Sequence, residues 1–409
     1  MLSMKKFIVV IVILSVIAVV AYVKLSAGKS ADPRGPAYAG SLTCARCHSE
    51  VYHSYLHTAH YLASSAASSK TVHGSFSAGS NTFEFDHTRK IVMQKKDSGM
   101  FQTYFVNGKV KESHRFDIVF GGVKGESYLY WKGDGLNQLP ISYYAKQDEW
   151  LISPRYAPEV VDFTRVITSR CLECHASYIG DQPDAPQGLD GVELFNKSSL
   201  VYSVDCERCH GPGAQHVDFQ THNPQIKTAR FISTYASLPR ARKIEVCAVC
   251  HSGNKSEMLR STFFFKPGDT LAKFKIAGFY SQVNDTSHLD VHGNQVQLLQ
   301  SSKCFIYSKM DCATCHDVHQ NQRGNVAFYT QKCLSCHSAA NHNYCKMATV
   351  SNSALIKSNC IQCHMPAFAS QAIVAPNMNK TYSATIAVHT HHIAIYPQEA
   401  KKILLMFGK

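Results

Sequence analysis

The sequence predicts a mainly helical chain with much irregular structure, folded around covalently held groups, with one β-rich segment toward its N-terminal end. Three observations predict it. The pattern Cys-x-x-Cys-His occurs seven times in 409 residues, beginning at Cys44, Cys171, Cys206, Cys247, Cys312, Cys333 and Cys360. The last six copies follow one another at intervals of 21 to 65 residues, room for short helices and loops and little else. Between Thr71 and Trp150 the texture changes, and NTFEFDHTRKIVMQ, FQTYFVNGKVKES, RFDIVF and ESYLYW are rich in the aromatic and β-branched residues that strands favour.

Taken in order, the chain opens with Lys5 and Lys6 ahead of an apolar run from Phe7 to Val23. Residues 1–23 read either as a cleaved signal peptide or as an uncleaved transmembrane anchor, lysines inside and the body outside. The anchor would hold the body on the periplasmic side of an inner membrane; cleavage would free it to the periplasm or cell surface. Residues 24–41 are small, polar and proline-containing, as in a linker. Residues 42–70 carry the first motif and SEVYHSYLHTAHYLASSA, whose apolar spacing is helical.

The β-rich segment occupies 71–165, with Asn107-Gly108 marking a hairpin turn. Residues 166–409 hold the other six motifs. Within them STFFFKPGDTLAKF, near 261–274, reads as a further short strand pair. The uneven motif spacing argues against a solenoid.

The motif explains itself through haem chemistry. Two thiols attack the two vinyl groups of haem, two intervening residues let both sulfurs reach one edge of the ring, and the adjacent histidine lies under the iron. Zinc sites also use Cys-x-x-Cys but need a second ligand pair and give no reason for the histidine. A thioredoxin-like redox pair would not recur seven times. The predicted thioether residues are Cys44, Cys47, Cys171, Cys174, Cys206, Cys209, Cys247, Cys250, Cys312, Cys315, Cys333, Cys336, Cys360 and Cys363. The proximal iron ligands are His48, His175, His210, His251, His316, His337 and His364. The cofactor set is therefore seven covalently bound haem c.

Charge fits the same reading. The formal net charge is +13, which by itself suggests nucleic acid or an anionic membrane. Each haem brings two propionates, and each ferric centre one positive charge, so seven haems reduce the balance to about +6 oxidised and about −1 reduced. The basic excess is a counter-charge to cofactors, and no nucleic-acid partner is expected.

Of 22 histidines, 15 remain for the distal positions. In CHDVH, His319 is too near His316 to reach the far face of the same haem, so it is expected to ligate a neighbouring iron. In CHGPGAQH the Gly-Pro-Gly turn redirects the chain, so that His216 serves an adjacent haem. His60, His114, His292, His342 and His391 are the further candidates, with His57, His222, His288, His389 and His392 in reserve. His73 and His87 lie in the β-rich part and read as structural, and Met310 and Met365 as packing. Cys304 and Cys345 are left over. They form a disulfide bracketing the fifth and sixth motifs, or one is a thiolate ligand or reactive thiol.

Several segments resemble a family of exported bacterial multihaem c-type cytochromes that shares motifs with the tetrahaem cytochrome c of ammonia oxidisers and with octahaem hydroxylamine oxidoreductase. They are CARCHSEVYHSYLHTAH, FGGVKGESYLYW, LPISYY with EWLISPRY, RCLECHASY, CERCHGPGAQHV, SKCF with CATCHDVH, and CIQCHMP with HTHHIAIY. The resemblance implies a haem-packed, mainly helical multihaem cytochrome c fold with stacked haem pairs, and distal ligands at His60, His216, His319 and His391. No Cys-x-x-Cys-Lys occurs, so the lysine-ligated catalytic haem of nitrite and tetrathionate reductases has no counterpart.

Three function classes follow. The first is an electron conduit of bis-histidine haems between a quinol-linked membrane donor and periplasmic or extracellular acceptors. The second is an oxidoreductase acting on a small nitrogen or sulfur compound at one haem with an open distal site, beside groups such as His114, Tyr143 or Arg155. The third, an oligomer or filament subunit joining haems end to end, has no sequence signal. A candidate sixth ligand for each haem favours the conduit, although leftover histidines do not exclude the enzyme.

Overall fold

The computed structural model describes residues 32–182, 192–253, 256–276, 289–341, 343–347, 354–375 and 384–407. The 1–23 segment, part of the linker, His288 and His342 lie outside the described residues.

The β-rich segment builds two sheets. Strands Thr82–Glu84, Arg89–Lys96, Gly99–Val106 and Lys109–Arg115 form a four-stranded antiparallel sheet in sequence order. Asn107 and Gly108 both adopt positive φ, 49° and 74°, as the tight hairpin turn between the last two strands requires. The second sheet has seven strands, among them Ser64–Ala66, Ile118–Gly121, the central Gly125–Lys132, Gly135–Gln138 and Val166–Ile167. Alternation along the strands sends Ile91, Met93, Tyr128, Leu139, Ile141 and Trp150 into one shared core. Gln102, wholly buried, acts as a piece of backbone between the sheets: its amide donates to Ile141 O at 2.7 Å and its carbonyl accepts Ile141 N at 3.1 Å.

Gly74 lies directly against the indole of Trp150, where a Cβ would enter the ring. Gly74→Ala is expected to overpack this core by about 1–3 kcal/mol and to lower the melting temperature while leaving the haem absorption spectrum unchanged; an unaltered melting curve would contradict the close packing.

The opposite face of the seven-stranded sheet positions the motifs. Ile118, Phe120, Leu129, Leu136 and Ile167 pack on Leu172 and Ala176, the residues around the second motif. Ser64–Ala66, the edge strand, follows the first motif segment, so the sheet ties two motifs together. A third core of Ile244, Ala248, Val249, Phe265, Leu271, Phe274 and Val296 holds the helix of the fourth motif, Arg240–His251.

Two expectations are corrected. The fold is not mainly helical: the described residues hold 30% helix and 25% strand. Two hairpins add to the sheets, Ala176–Asp181 with Phe195–Tyr202 and Ala367–Ala375 with Ala384–His389. Both leave the chain within three residues of a motif histidine, because a short motif helix has no further turn to add. Nor is 261–274 a strand pair. It makes two 3₁₀ turns, Thr262–Phe264 and Leu271–Lys273, and its pairing is a single bridge between Met258 and Lys275. Pro267-Gly268 interrupts the phenylalanine run.

Candidate functional site

Each motif forms about one helical turn, as in Ser169–His175, Cys206–His210 and Cys360–His364. Residues three and four apart share a helix face, so both thiols and the histidine of a motif project together. The histidine is then fixed from behind. His210 Nδ1 meets Ser233 O at 2.9 Å, His364 Nδ1 meets Ala394 O at 2.9 Å, and His175 and His337 do the same with Ala63 O and Asn343 O at 3.3 and 3.2 Å. An imidazole that donates its Nδ1 proton to a carbonyl keeps Nε2 free for a metal.

Histidines distant in sequence come together in pairs. The ring centres of His48 and His216 are 6.4 Å apart, those of His60 and His251 6.3 Å, those of His210 and His319 6.0 Å, and those of His316 and His391 6.1 Å. A metal–imidazole bond is about 2.0 Å and the ring centre lies about 1.1 Å behind the nitrogen, so two imidazoles on opposite sides of one ion stand roughly 6.2 Å apart. These four spacings fit one iron each. In each pair one member is a motif histidine and the other comes from a different part of the chain. Burial, and after it His251, pushes the pKa of His60 down to about 4, and burial followed by His316 does the same to His391. Both are neutral at pH 7, the form that ligates metal.

The attachment cysteines of different motifs also meet. Cys44 contacts Cys206, Cys174 contacts Cys250, Cys247 contacts Cys312, and Cys333 contacts Cys360. Cys209 is within electrostatic reach of Cys247, and Cys315 of Cys336, which joins these contacts into one series through all seven motifs. A cavity of about 3060 Å³, partly open to solvent, follows much of that series, lined by Cys171, Cys250, Cys315, Cys336 and Cys363 and by His60, His175, His316 and His391. Ordinary ligand pockets are about 300–1,000 Å³, and protein interiors tolerate few voids. Paired thiols, paired imidazoles and a cavity of this size fit several haems.

The other predicted residues fall as follows. His114 is corrected: it lies on the strand Lys109–Arg115, bonded to Glu112 at 2.6 Å and packed on Tyr130 and Phe163, away from every motif. His292 lines the cavity, as does Arg155, but no histidine ring among the described residues stands at pairing distance from His175, His337 or His364. His175 instead stacks on Phe120 at 4.6 Å. His57 and His222 are exposed and His392 bonds Tyr396.

The disulfide is also corrected. Cys304 and Cys345 are both free, because they face different motifs: Cys304 lies toward Cys336 and Cys345 toward Cys363, and both line the cavity. His389, held only in reserve, carries the signature of a ligand. Its Nδ1 is fixed by Met365 O at 2.5 Å and it lines the cavity. The apolar alternation of the Ala384–His389 strand was the signal that could have found it.

The first and third motifs share a buried ionic knot. Arg34 bonds Asp32 at 2.8 Å, Asp205 at 2.8 Å and Glu207 at 2.9 Å. Glu207, inside CERCH, also accepts the amides of Ala39, Gly40 and Gly213 at 2.9, 2.9 and 2.7 Å. It thereby joins the linker, its own motif and the turn that aims His216.

Among the described residues no helix is long and apolar enough to cross a membrane. Comparison with known proteins agrees with the site. The family described as cytochrome c554 and c-prime matches residues 155–211, which contain the second and third motifs. No curated protein matches the chain. A solved structure described as the crystal structure of outer cell wall cytochrome OcwA is similar at a TM-score of 0.53 and 18% identity, over 90% of this chain and 82% of that one. The segment thus bears a c-type cytochrome signature, which implies covalently bound haem, and the fold resembles that of the outer cell wall cytochrome.

Proposed function

We propose that the chain is an exported seven-haem c-type cytochrome that conducts electrons. The observation that carries this reading is the set of four histidine pairs at 6.0 to 6.4 Å, set along an unbroken series of motif contacts. Haem, when bound, supplies a one-electron couple. The chain would hold each ring by two thioethers, would offer a pair of imidazoles at four motifs, and fixes several of those imidazoles by Nδ1 bonds. A bis-histidine site leaves no position for substrate. The donor is a quinol-linked membrane protein and the acceptors are periplasmic or extracellular proteins, with residues 1–23 either cleaved or serving as the anchor.

The test is direct. The intact mass is expected to carry seven haem increments, and the oxidised protein to give a low-temperature EPR spectrum dominated by low-spin haem. A mass without those increments would overturn the reading.

One observation favours a second reading at a single site. Among the described residues no imidazole stands across from His175, while His292, on which Lys124 and Arg155 act, lies within electrostatic reach of it. A haem on Cys171 and Cys174 with an open distal face would act on a small nitrogen or sulfur compound. A high-spin EPR signal that shifts with nitrite, hydroxylamine or cyanide would select this reading; no such signal would leave the conduit alone.

A further inference from the structure

We infer that Lys275 raises the reduction potential of the haems on the second and fourth motifs, so that electrons move toward that pair from the haems on the first and third. The inference rests on the conduit proposed above and assigns it a direction.

Lys275 is wholly buried. Its ammonium donates to Val249 O at 3.2 Å, a carbonyl inside the Cys-x-x-Cys of the fourth motif. A buried ammonium without a carboxylate of its own is costly. Burial, then Arg170, draws its pKa down to about 8.

Two arginines join it. Lys275 and Arg170 both act on Cys174, and Lys275 and Arg208 both act on Cys250, the two cysteines that touch each other. Arg208 is itself buried, held by Glu173 O at 3.0 Å and Thr262 Oγ1 at 3.3 Å. The carboxylate that faces them is Glu173, already engaged by Arg170 at 3.4 Å and by Thr262 N at 3.1 Å. Three cations, of which Arg208 belongs to the third motif and also acts on Cys209, and one carboxylate therefore wall the contact between the second and fourth motifs.

The contact between Cys44 and Cys206 has the opposite wall. Asp205 and Glu207 face it, and Asp32 joins them through Arg34, their shared cation. Reduction removes one positive charge from a haem. Fixed cations in a low-dielectric interior favour that loss and fixed anions oppose it. The same chain thus makes the first contact poor, and the second good, at accepting an electron.

The experiment is a redox titration of the full haem-loaded protein in neutral buffer, followed optically and by EPR, for the wild type, Lys275→Met and Lys275→Arg. In the wild type, haems assigned to the second and fourth motifs are expected to reduce before those of the first and third. Lys275→Met is expected to lower the equilibrium constant for reducing the former pair about tenfold, which is about 59 mV for one electron. Lys275→Arg keeps the charge and is expected to keep the potential.

Unshifted potentials in a Lys275→Met protein with full haem content and unchanged spin state would overturn the inference, as would the reverse order of reduction in the wild type, which needs no variant to fold. Failure of the conduit itself would look different: too few haems, or high-spin iron, already in the wild type.

Discussion

Glu207→Ala is expected to destabilise the protein by about 3–5 kcal/mol and to convert the haem on His48 to a high-spin form. The side chain is 1% exposed and makes four hydrogen bonds, to Arg34 and to the amides of Ala39, Gly40 and Gly213. Its removal strands three buried N–H groups and takes one of three anions from a guanidinium that is itself only 4% exposed. The Gly213 bond also fixes the turn ahead of His216, so the loss reaches the iron site through geometry and not through charge alone. Glu207→Gln keeps an acceptor oxygen and is expected to lose less. Thermal denaturation reads the stability and EPR the spin state. A variant that melts with the wild type and retains every low-spin signal would show that the knot does not hold the first and third motifs together.

His391→Ala is expected to turn one low-spin haem high-spin, with imidazole added to the buffer restoring the low-spin signal. His391 is the ring 6.1 Å from His316, and it is neutral at pH 7 because burial and His316 depress its pKa. His114→Ala is the internal comparison: that ring sits on a strand against Tyr130 and Phe163, and its removal is expected to leave all haem spectra unchanged. If both variants keep the wild-type spectrum, the pairing of His391 with His316 does not describe an iron site.

How far the sequence reached depends on whether the chemistry is local. The motif histidines could be read because two thiols and an imidazole must sit within five residues to grip one haem. His216 and His319 could be read as distal candidates because they follow a motif too closely to fold back on its own haem. Their actual partners, His48 and His210, could not be read, since pairing is a property of tertiary structure. His114 was misread because a histidine packed on aromatic rings of a sheet and one aimed at a metal look alike in one dimension. The hairpin at Asn107-Gly108 was legible from the positive φ it demands. The strands after the second and seventh motifs were not, because the motif itself dominates the local pattern.

The histidine pairs carry a consequence for how the molecule is made. His48 pairs with His216, His60 with His251, His210 with His319 and His316 with His391. Each pairing spans a long stretch of chain, and the spans overlap so that none closes before its later member has emerged. A polypeptide delivered N-terminus first would therefore receive its early haems long before their sixth ligands exist. Each would wait with one face uncovered, and the last of these pairings would form only after residue 391 had crossed. Maturation becomes a queue, with its end written into the C-terminal HTHHIAIY.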